Sequence, residues 1–279
     1  MLSSKPGDVL LSAIKYAILV AFLLVTIAPF YWALVSSLKL PEELFSPRPS
    51  PIPRHLAWEN YVALFTKTEL PRWMFNSAVV AFGSTLLGVF FCSLAGFAFS
   101  KYRFRGSNVL FWIVLCSVSI PQVVTLVPVF SLMAHIGWRN SYQALIVPGA
   151  VNAFGIFLMR QYMQSVPDEL LDACRMDGCS EFGIFWRVIL PVVRPALGAL
   201  AIFLWLTSWS NYLWPLVMID SSDMFTMPLG LATLYANPWN IEYGPLMAGS
   251  VMSVLPIVAV FVAMQKQFIA GLTQGAVKS

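Results

Sequence analysis

Charge is what this sequence has least of. Only 11% of its 279 residues are Asp, Glu, Lys or Arg, against roughly 25% in an ordinary soluble domain, which excludes a surface that mostly faces water. With 58% hydrophobic residues and a mean hydropathy of +0.75, the chain is an integral membrane protein. Histidine is limited to His55 and His135, and no HExxH occurs, so neither a zinc site nor a Ser-His-Asp triad can be built from this chain alone. No GxxxxGK(S/T) loop is present to cradle the phosphates of ATP. The four cysteines include no CxxC pair. Cys92 and Cys116 sit in apolar runs as small hydrophobes, and Cys174 and Cys179, with no histidine nearby, read as small packing residues. The net charge of +4 is scattered, leaving no basic block for nucleic acid. Ionisable residues are also nearly missing from inside the apolar runs, where ion-coupled pumps place them. Energy for any transport must therefore enter from another subunit.

What is present is a series of apolar runs long enough to cross a bilayer, which takes about 20 residues per helix. Six are expected, at 16–36, 73–99, 108–133, 142–163, 196–218 and 246–265. The first follows Lys5 and Lys15 but is too long for a secretory signal and lacks a small-x-small cleavage site, so it reads as a retained anchor. Prolines and glycines such as Pro29, Gly88, Pro121, Pro148 and Pro256 punctuate the runs, pointing to kinks near a pathway. Most of the 17 basic residues, including the Lys101–Gly106 turn KYRFRG, fall in loops that an N-in, C-in arrangement places inside, as expected from the positive-inside bias. Two outer segments stand apart. Residues 38–72 are rich in proline, favouring stiff, extended backbone. Residues 219–245 are mostly polar and read either as a solvated connector or as a docking surface.

The most informative stretch is residues 168–195, DELLDACRMDGCSEFGIFWRVILPVVRP, an acid-rich segment between apolar runs. Ser165 and Asp168 fit a capping box, with Pro167 in the first turn, and Asp168 and Glu169 favour the positive end of a helix dipole. That helix is expected to reach about Asp177 and to stop at a left-handed Gly178. Ser180 and Glu181 start a second helix, on which Phe182, Phe185, Trp186, Ile189 and Leu190 recur at helical spacing. Pro191 ends or kinks it. An amphipathic surface helix without a partner would share these features.

The segment resembles the cytoplasmic EAA loop of ABC-importer permeases, whose pattern is close to E-A-A-x-x-D-G-A, then F, then I-x-L-P. It does so through Asp172-Ala173-Cys174, Asp177-Gly178-Cys179, Phe182 and Ile189-Leu190-Pro191. Asp172 stands where Glu is usual, one methylene shorter, and Cys174 and Cys179 where Ala is usual. The tail GLTQGAVKS at 271–279 and TSWSNYLWPL at 207–216 are similar to segments of carbohydrate-uptake permeases of the kind found as the smaller membrane subunit of the maltose transporter. Here Ser210 replaces the usual Asn, with Asn211 beside it. The resemblance covers the chain from the first run to the tail.

That resemblance implies an all-α integral membrane protein of about six spans, with a coupling helix between spans 4 and 5. Residues 1–72 would form a tail, anchor and outer loop, and 73–279 a core with the coupling loop at 165–195 and an ATPase-contacting tail at 266–279. It implies the membrane-spanning subunit of an ATP-driven importer for a sugar or sugar-like solute, not itself an enzyme. Partners would be a second permease, two ATP-hydrolysing subunits that hold the ATP and magnesium, an extracytoplasmic solute-binding protein and the lipid bilayer. Coupling falls to Glu169, Asp172, Ala173, Cys174, Arg175, Asp177, Gly178 and Cys179, and tail contacts to Gly271, Thr273, Gln274, Gly275 and Lys278. The resemblance also suggests that Asn237, Trp239 and Asn240 form a loop reaching the binding protein.

For the pathway itself, sugar sites combine aromatic faces with convergent polar groups, which selects Gln122, Asn152, Trp209, Ser210, Asn211 and Tyr212. The aromatics could equally face lipid or pack between helices. Amides within a run must bond a neighbouring helix or line a pathway. A secondary transporter or channel with a regulator-binding loop is the alternative class.

Overall fold

The computed structural model describes the backbone of residues 6–236 and 241–274, and the side chains of 10–236 and 241–267. Every regular element among them is helical. In chain order these are α1 (Pro6–Ser37), α2 (Pro41–Leu44), α3 (Glu59–Lys67), α4 (Leu70–Lys101), α5 (Ser107–Cys116), α6 (Gln122–His135), α7 (Tyr142–Ile146), α8 (Ala153–Gln164), α9 (Asp168–Met176), α10 (Glu181–Ile184), α11 (Leu190–Val192), α12 (Arg194–Trp209), α13 (Leu213–Met218), α14 (Met227–Thr233) and α15 (Tyr243–Gln274).

Among the described residues three helices are long and apolar enough to cross a membrane, within α1, α4 and α15. Two bent pairs bring the number to as many as five: Ser107–Ser119 with Gln122–His135, at 104°, and Glu181–Val192 with Arg194–Trp209, at 84°. The all-α membrane class is as expected, but three of the apolar runs are not single rods. The third bends at Pro121, which is extended (φ −60°, ψ 136°) and brings no N–H to continue a helix. Residues 142–163 are two helices, α7 and α8, with Pro148 and Gly149 between them. The fifth stops at Trp209 and restarts at Leu213.

The chain divides into two compact units, residues 1–68 with 231–254, and 69–230 with 255–279. In the first, the proline-rich segment is tied down by side chains. Asn60 Nδ2 donates to the carbonyls of Ser37 and Lys39 at 2.9 and 3.0 Å, and Tyr31 donates to the Pro51 carbonyl at 2.7 Å. The expectation of extended backbone across 38–72 holds only in part. The prolines of this stretch pause between Pro53 and Pro71, and there α3 forms.

In the second unit α4 packs on α8 and α12, and glycine sets the spacing. A Cβ on Gly96 would lie 2.6 Å from Met159 Cβ, and one on Gly88 would lie 2.5 Å from the Ala150 carbonyl oxygen. Small residues let membrane helices approach this closely. One apolar core joins Cys92 and Phe97 of α4, Met159 and Met163 of α8, Leu171 of α9, Ile184 of α10 and Leu200 and Leu204 of α12. The helix of the acidic segment is thus rooted in the body of the unit. A second core gathers Val80, Met133, Leu145, Trp214, Met218 and Leu229, with Trp214 Nε1 donating to the Ala144 carbonyl at 2.8 Å. Residues 219–236 are not a plain connector, because Met224, Met227 and Leu229 are buried there.

Candidate functional site

Two places in the second unit hold the residues that sequence reasoning singled out. The first is the acidic segment. α9 runs from Asp168 to Met176, but its start differs from the expected capping box. Pro167 occupies the cap position and no side chain caps the helix. Ser165 instead donates to the Tyr162 carbonyl at 2.8 Å, closing α8. The reason lies in Pro167, which pushes the residue before it out of the helical region and prevents a start at Ser165.

The other end follows expectation. Gly178 adopts φ +79°. Its N–H donates to the Arg175 carbonyl at 3.0 Å, and the Cys179 N–H donates to the Cys174 carbonyl at 2.9 Å. These are the paired bonds of a Schellman turn. Cys174 and Cys179 flank it, half-buried against the apolar core. Burial and the adjacent Cys179 thiol push the Cys174 thiol up, which suits packing rather than reactivity. Ser180 then caps α10, accepting from the Gly183 N–H at 3.1 Å.

α9 faces two ways. Leu171, 1% exposed, enters the core, while Glu169, Asp172, Ala173, Asp177 and Gly178 remain exposed. Arg175 organises the charges. Its Nη1 donates to Asp172 Oδ1 at 2.8 Å, and its Nε and Nη2 fork onto the Glu181 carboxylate at 2.8 and 3.2 Å. Both carboxylates raise the Arg175 pKa. Sequence reasoning missed Met176, which is 88% exposed. Its signal was an apolar residue between Arg175 and Asp177, off the buried face of the helix.

The apolar arm also departs from its expected single face. Residues 185–189 form a turn of π-helix. Ile184, Phe185 and Ile189 go inward while Phe182 and Trp186 stay outside. A π-turn inserts an extra residue and so rotates the succeeding residues about the helix axis, and Pro191 marks the bend into α12.

The second place is a cavity of about 790 Å³ onto which all three helix interruptions open, together with faces of the neighbouring helices. Ser117, Ile120 and Gln122 come from the break before α6. Pro148, Val151 and Asn152 come from the break before α8, and Ser210, Asn211 and Tyr212 from the break before α13. Irregular backbone in a membrane protein is tolerated where it lines a cavity. Five of the six selected pathway residues meet here, and all the described residues lining it are uncharged. Asn152 also caps α8, its Oδ1 accepting from the Gly155 N–H at 2.7 Å, and Asn211 Oδ1 accepts from the Trp214 N–H at 3.3 Å. The sixth residue, Trp209, is 2% exposed and stacks on Trp205 at 5.8 Å, outside the cavity lining. Phe154, Phe203 and Trp214 line it instead.

Gly271, Thr273 and Gln274 fall in the last turns of α15, where only the backbone is described. Gly275 and Lys278 of the tail, and Asn237, Trp239 and Asn240 of the outer loop, lie outside the described residues. Among the described residues no group of His, Cys, Asp and Glu could hold a metal ion.

Residues 85–274 match the model of the family described as binding-protein-dependent transport system inner membrane component. The chain belongs to this family. It is a multi-pass inner-membrane permease subunit of an ABC importer, and ATP hydrolysis lies in separate subunits. The permease is 44% identical over 227 residues to the arabinooligosaccharides transport system permease protein of Halalkalibacterium halodurans, covering 81% of each. It is 31% identical over 265 residues to the lactose transport system permease protein of Rhizobium radiobacter, 95% of this chain and 96% of the relative. Its fold is similar to a chain of a bacterial ABC transporter involved in the import of the acidic polysaccharide alginate, with a TM-score of 0.84, 21% identity and coverage of 96% and 100%.

Proposed function

We propose that the permease carries a neutral sugar or short oligosaccharide through the cavity, driven by ATPases that grip the α9 turn. The observation that carries the solute class is the cavity lining. Hydroxyls of Ser84, Thr125, Ser208 and Ser210, amides of Gln122, Asn152 and Asn211, and the rings of Phe154, Phe203 and Tyr212 surround a space without a charged group. Such a lining suits stacking and hydrogen bonding to hydroxyls, and places no cation against a phosphate dianion. The sugar names of the relatives lean the same way, although sn-glycerol-3-phosphate permeases are also similar, at 28% and 29% identity.

In this reading the chain crosses the membrane six times with both ends inside, the bent and broken runs each counting as one crossing. It pairs with a second permease, two ATP-binding subunits and a solute-binding protein. Asp172, Asp177 and the exposed small surface around Ala173 and Gly178 form the docking face, with Glu169, Cys174, Arg175 and Cys179 shaping it. ATP and magnesium stay with the partners, and the tail near Gly271, Thr273, Gln274, Gly275 and Lys278 is a secondary contact. Asn237, Trp239 and Asn240 face the binding protein. Transport follows as a rigid-body switch between two states that the ATPases grip differently.

The test is uptake by the complete importer in liposomes. Asp172→Ala is expected to abolish uptake while the complex still assembles, and Asn211→Ala to change uptake kinetics while stimulated ATP hydrolysis is kept. Wild-type uptake by Asp172→Ala would remove the docking assignment, and preferred uptake of a phosphate ester over neutral sugars would remove the solute class.

A further inference from the structure

The Lys101–Gly106 segment is a basic marker of the inner face by its charge, and its first two residues also make contacts of another kind. Lys101 ends α4, and its side chain is 3% exposed. Its Nζ donates to Asp168 Oδ1 at 2.6 Å and to the Val166 carbonyl at 2.5 Å. The next residue, Tyr102, donates its hydroxyl to Glu181 Oε2. Burial and the Glu181 carboxylate push the Tyr102 pKa up to about 12, so the hydroxyl keeps its proton at physiological pH. Glu181 receives the Arg175 fork, and Arg175 holds Asp172.

Consecutive residues at the end of α4 therefore hold both ends of α9. Lys101 grips the N-terminal end at Asp168 and Val166. Tyr102 grips the C-terminal end through Glu181 and Arg175. The two grips are separated by most of the helix, about 10 Å from Asp168 to Arg175 at 1.5 Å per residue. A single attachment would let α9 pivot, whereas two spaced attachments pass on rotation as well as displacement. Farther back along α4, Ser84 lines the cavity and Gly88 sits against the Ala150 carbonyl at its edge. One continuous helix thus joins the docking segment to the cavity wall.

We propose that Lys101 and Tyr102 are positioning residues that clamp α9 to α4, so that α4 is the element through which movement of the docking helix reaches the cavity. This rests on the reading of α9 as the ATPase docking helix. The Lys101 side chain is buried, but the carboxylates it and Tyr102 hold are exposed, 75% at Asp168 and 48% at Glu181, and an ion pair with a solvated partner adds little to stability. Its loss should therefore show in coupling more than in folding.

The experiment uses the complete importer in liposomes, with three readings: the amount of assembled complex, ATP hydrolysis, and sugar molecules imported per ATP. The variants are Tyr102→Phe, which removes only the hydroxyl, Lys101→Met, Lys101→Arg and the Lys101→Met/Tyr102→Phe double. The double variant is expected to assemble and hydrolyse ATP as the wild type does. Its import per ATP should drop at least about 10-fold, the scale of losing one charge-assisted hydrogen bond, and Lys101→Arg alone should keep most of the wild-type value by keeping the cation. Unchanged import per ATP in the double variant would overturn the clamp. So would uptake and hydrolysis falling in parallel with the amount of complex, the pattern of a purely structural role. Asp172→Ala measured alongside separates the two readings. Uncoupling by Asp172→Ala with a wild-type double variant rejects the clamp and leaves the docking helix standing, whereas wild-type behaviour of Asp172→Ala rejects the docking helix itself.

Discussion

Substituting Gly178 separates backbone strain from steric clash, because no atom lies within 4 Å of a Cβ built there. At φ +79° an L side chain meets its own carbonyl, at a cost of roughly 1–2 kcal/mol, and least for Asn. The strain falls on the two bonds that close the α9 turn, from the Gly178 N–H to Arg175 and from the Cys179 N–H to Cys174. A loss of about 1 kcal/mol raises the open fraction of the turn about 5-fold, and about 2 kcal/mol raises it about 30-fold. Amide exchange of those two protons reads this opening directly. In the purified permease, Gly178→Ala should exchange about 5-fold faster there and Gly178→Val up to about 30-fold faster. Gly178→Asn should fall between Gly and Ala. Exchange elsewhere, including the N-terminal turn of α10, should not change. On the proposed docking role of this turn, which needs it closed, uptake should fall in the same order. Equal exchange in all four proteins would refute the strain argument. Faster exchange with undiminished uptake would show that turn closure does not limit coupling.

Other outcomes can be worked from the same structure. Gly96→Val should destabilise the permease by at least about 1–3 kcal/mol, because its Cβ meets Met159 Cβ at 2.6 Å and the Arg160 nitrogen at 2.9 Å and the core must shift. Gly149→Ala, with nothing within 4 Å, should stay within about 0.5 kcal/mol. Unfolding in detergent compares the two. Asn152→Ala should cost about 1 kcal/mol through the lost cap of α8, whereas Asn152→Asp keeps the acceptor and places a charge in the cavity. Normal stability with reduced neutral-sugar uptake is expected for the second, and unchanged uptake would take Asn152 out of the pathway. The hydrogen bond and charge of Lys101 hold the Asp168 carboxyl below its ordinary value of 3.8. The stabilisation is therefore present above that value and is lost as pH falls through the lower folded one. Thermal unfolding followed from about pH 7 to 3 should show a small acid-side loss that shrinks in Lys101→Met, and an identical profile would dismiss the pair's contribution to stability.

How much could be read from the residues depended on whether the deciding interaction was local. The Gly178 turn and the Ser180 cap are local, and both appear as expected. The capping box at Ser165 looked equally local, but it was cancelled by Pro167 two positions away, whose restriction on Val166 outweighs a favourable Ser and Asp spacing. Trp209 shows the limit of position along a helix. It stands next to three cavity residues in sequence, yet it belongs to the last turn of α12, where stacking on Trp205 fixes it away from the lining. Lys101 and Tyr102 were visible only as charge and aromatic content, since partners 67 and 79 residues away leave no periodic trace.

The helix interruptions carry the deeper lesson. Hydropathy counts side chains, and the runs at 108–133, 142–163 and 196–218 are apolar enough to pass as continuous. What breaks them is the backbone: Pro121 and Pro148 withhold donors, and Ser210, Asn211 and Tyr212 form a three-residue gap. Each break frees carbonyl and N–H groups that a lipid-facing rod could not leave unpaired. All three breaks open on one cavity, the setting in which irregular backbone within a membrane protein is tolerated. The amides Gln122, Asn152 and Asn211 stand at these breaks, and Asn152 and Asn211 supply the acceptor that a helix start needs. In Asn152 and Asn211 the amide oxygen already serves the helix, so on the proposed pathway role the amide N–H groups are the ones that meet a solute. That division makes a testable distinction between the two roles. Asn211→Ser keeps a short acceptor for the Trp214 N–H and removes the amide donors. It should preserve the fold while lowering affinity for sugar, and an unaltered affinity would assign Asn211 to the helix end alone.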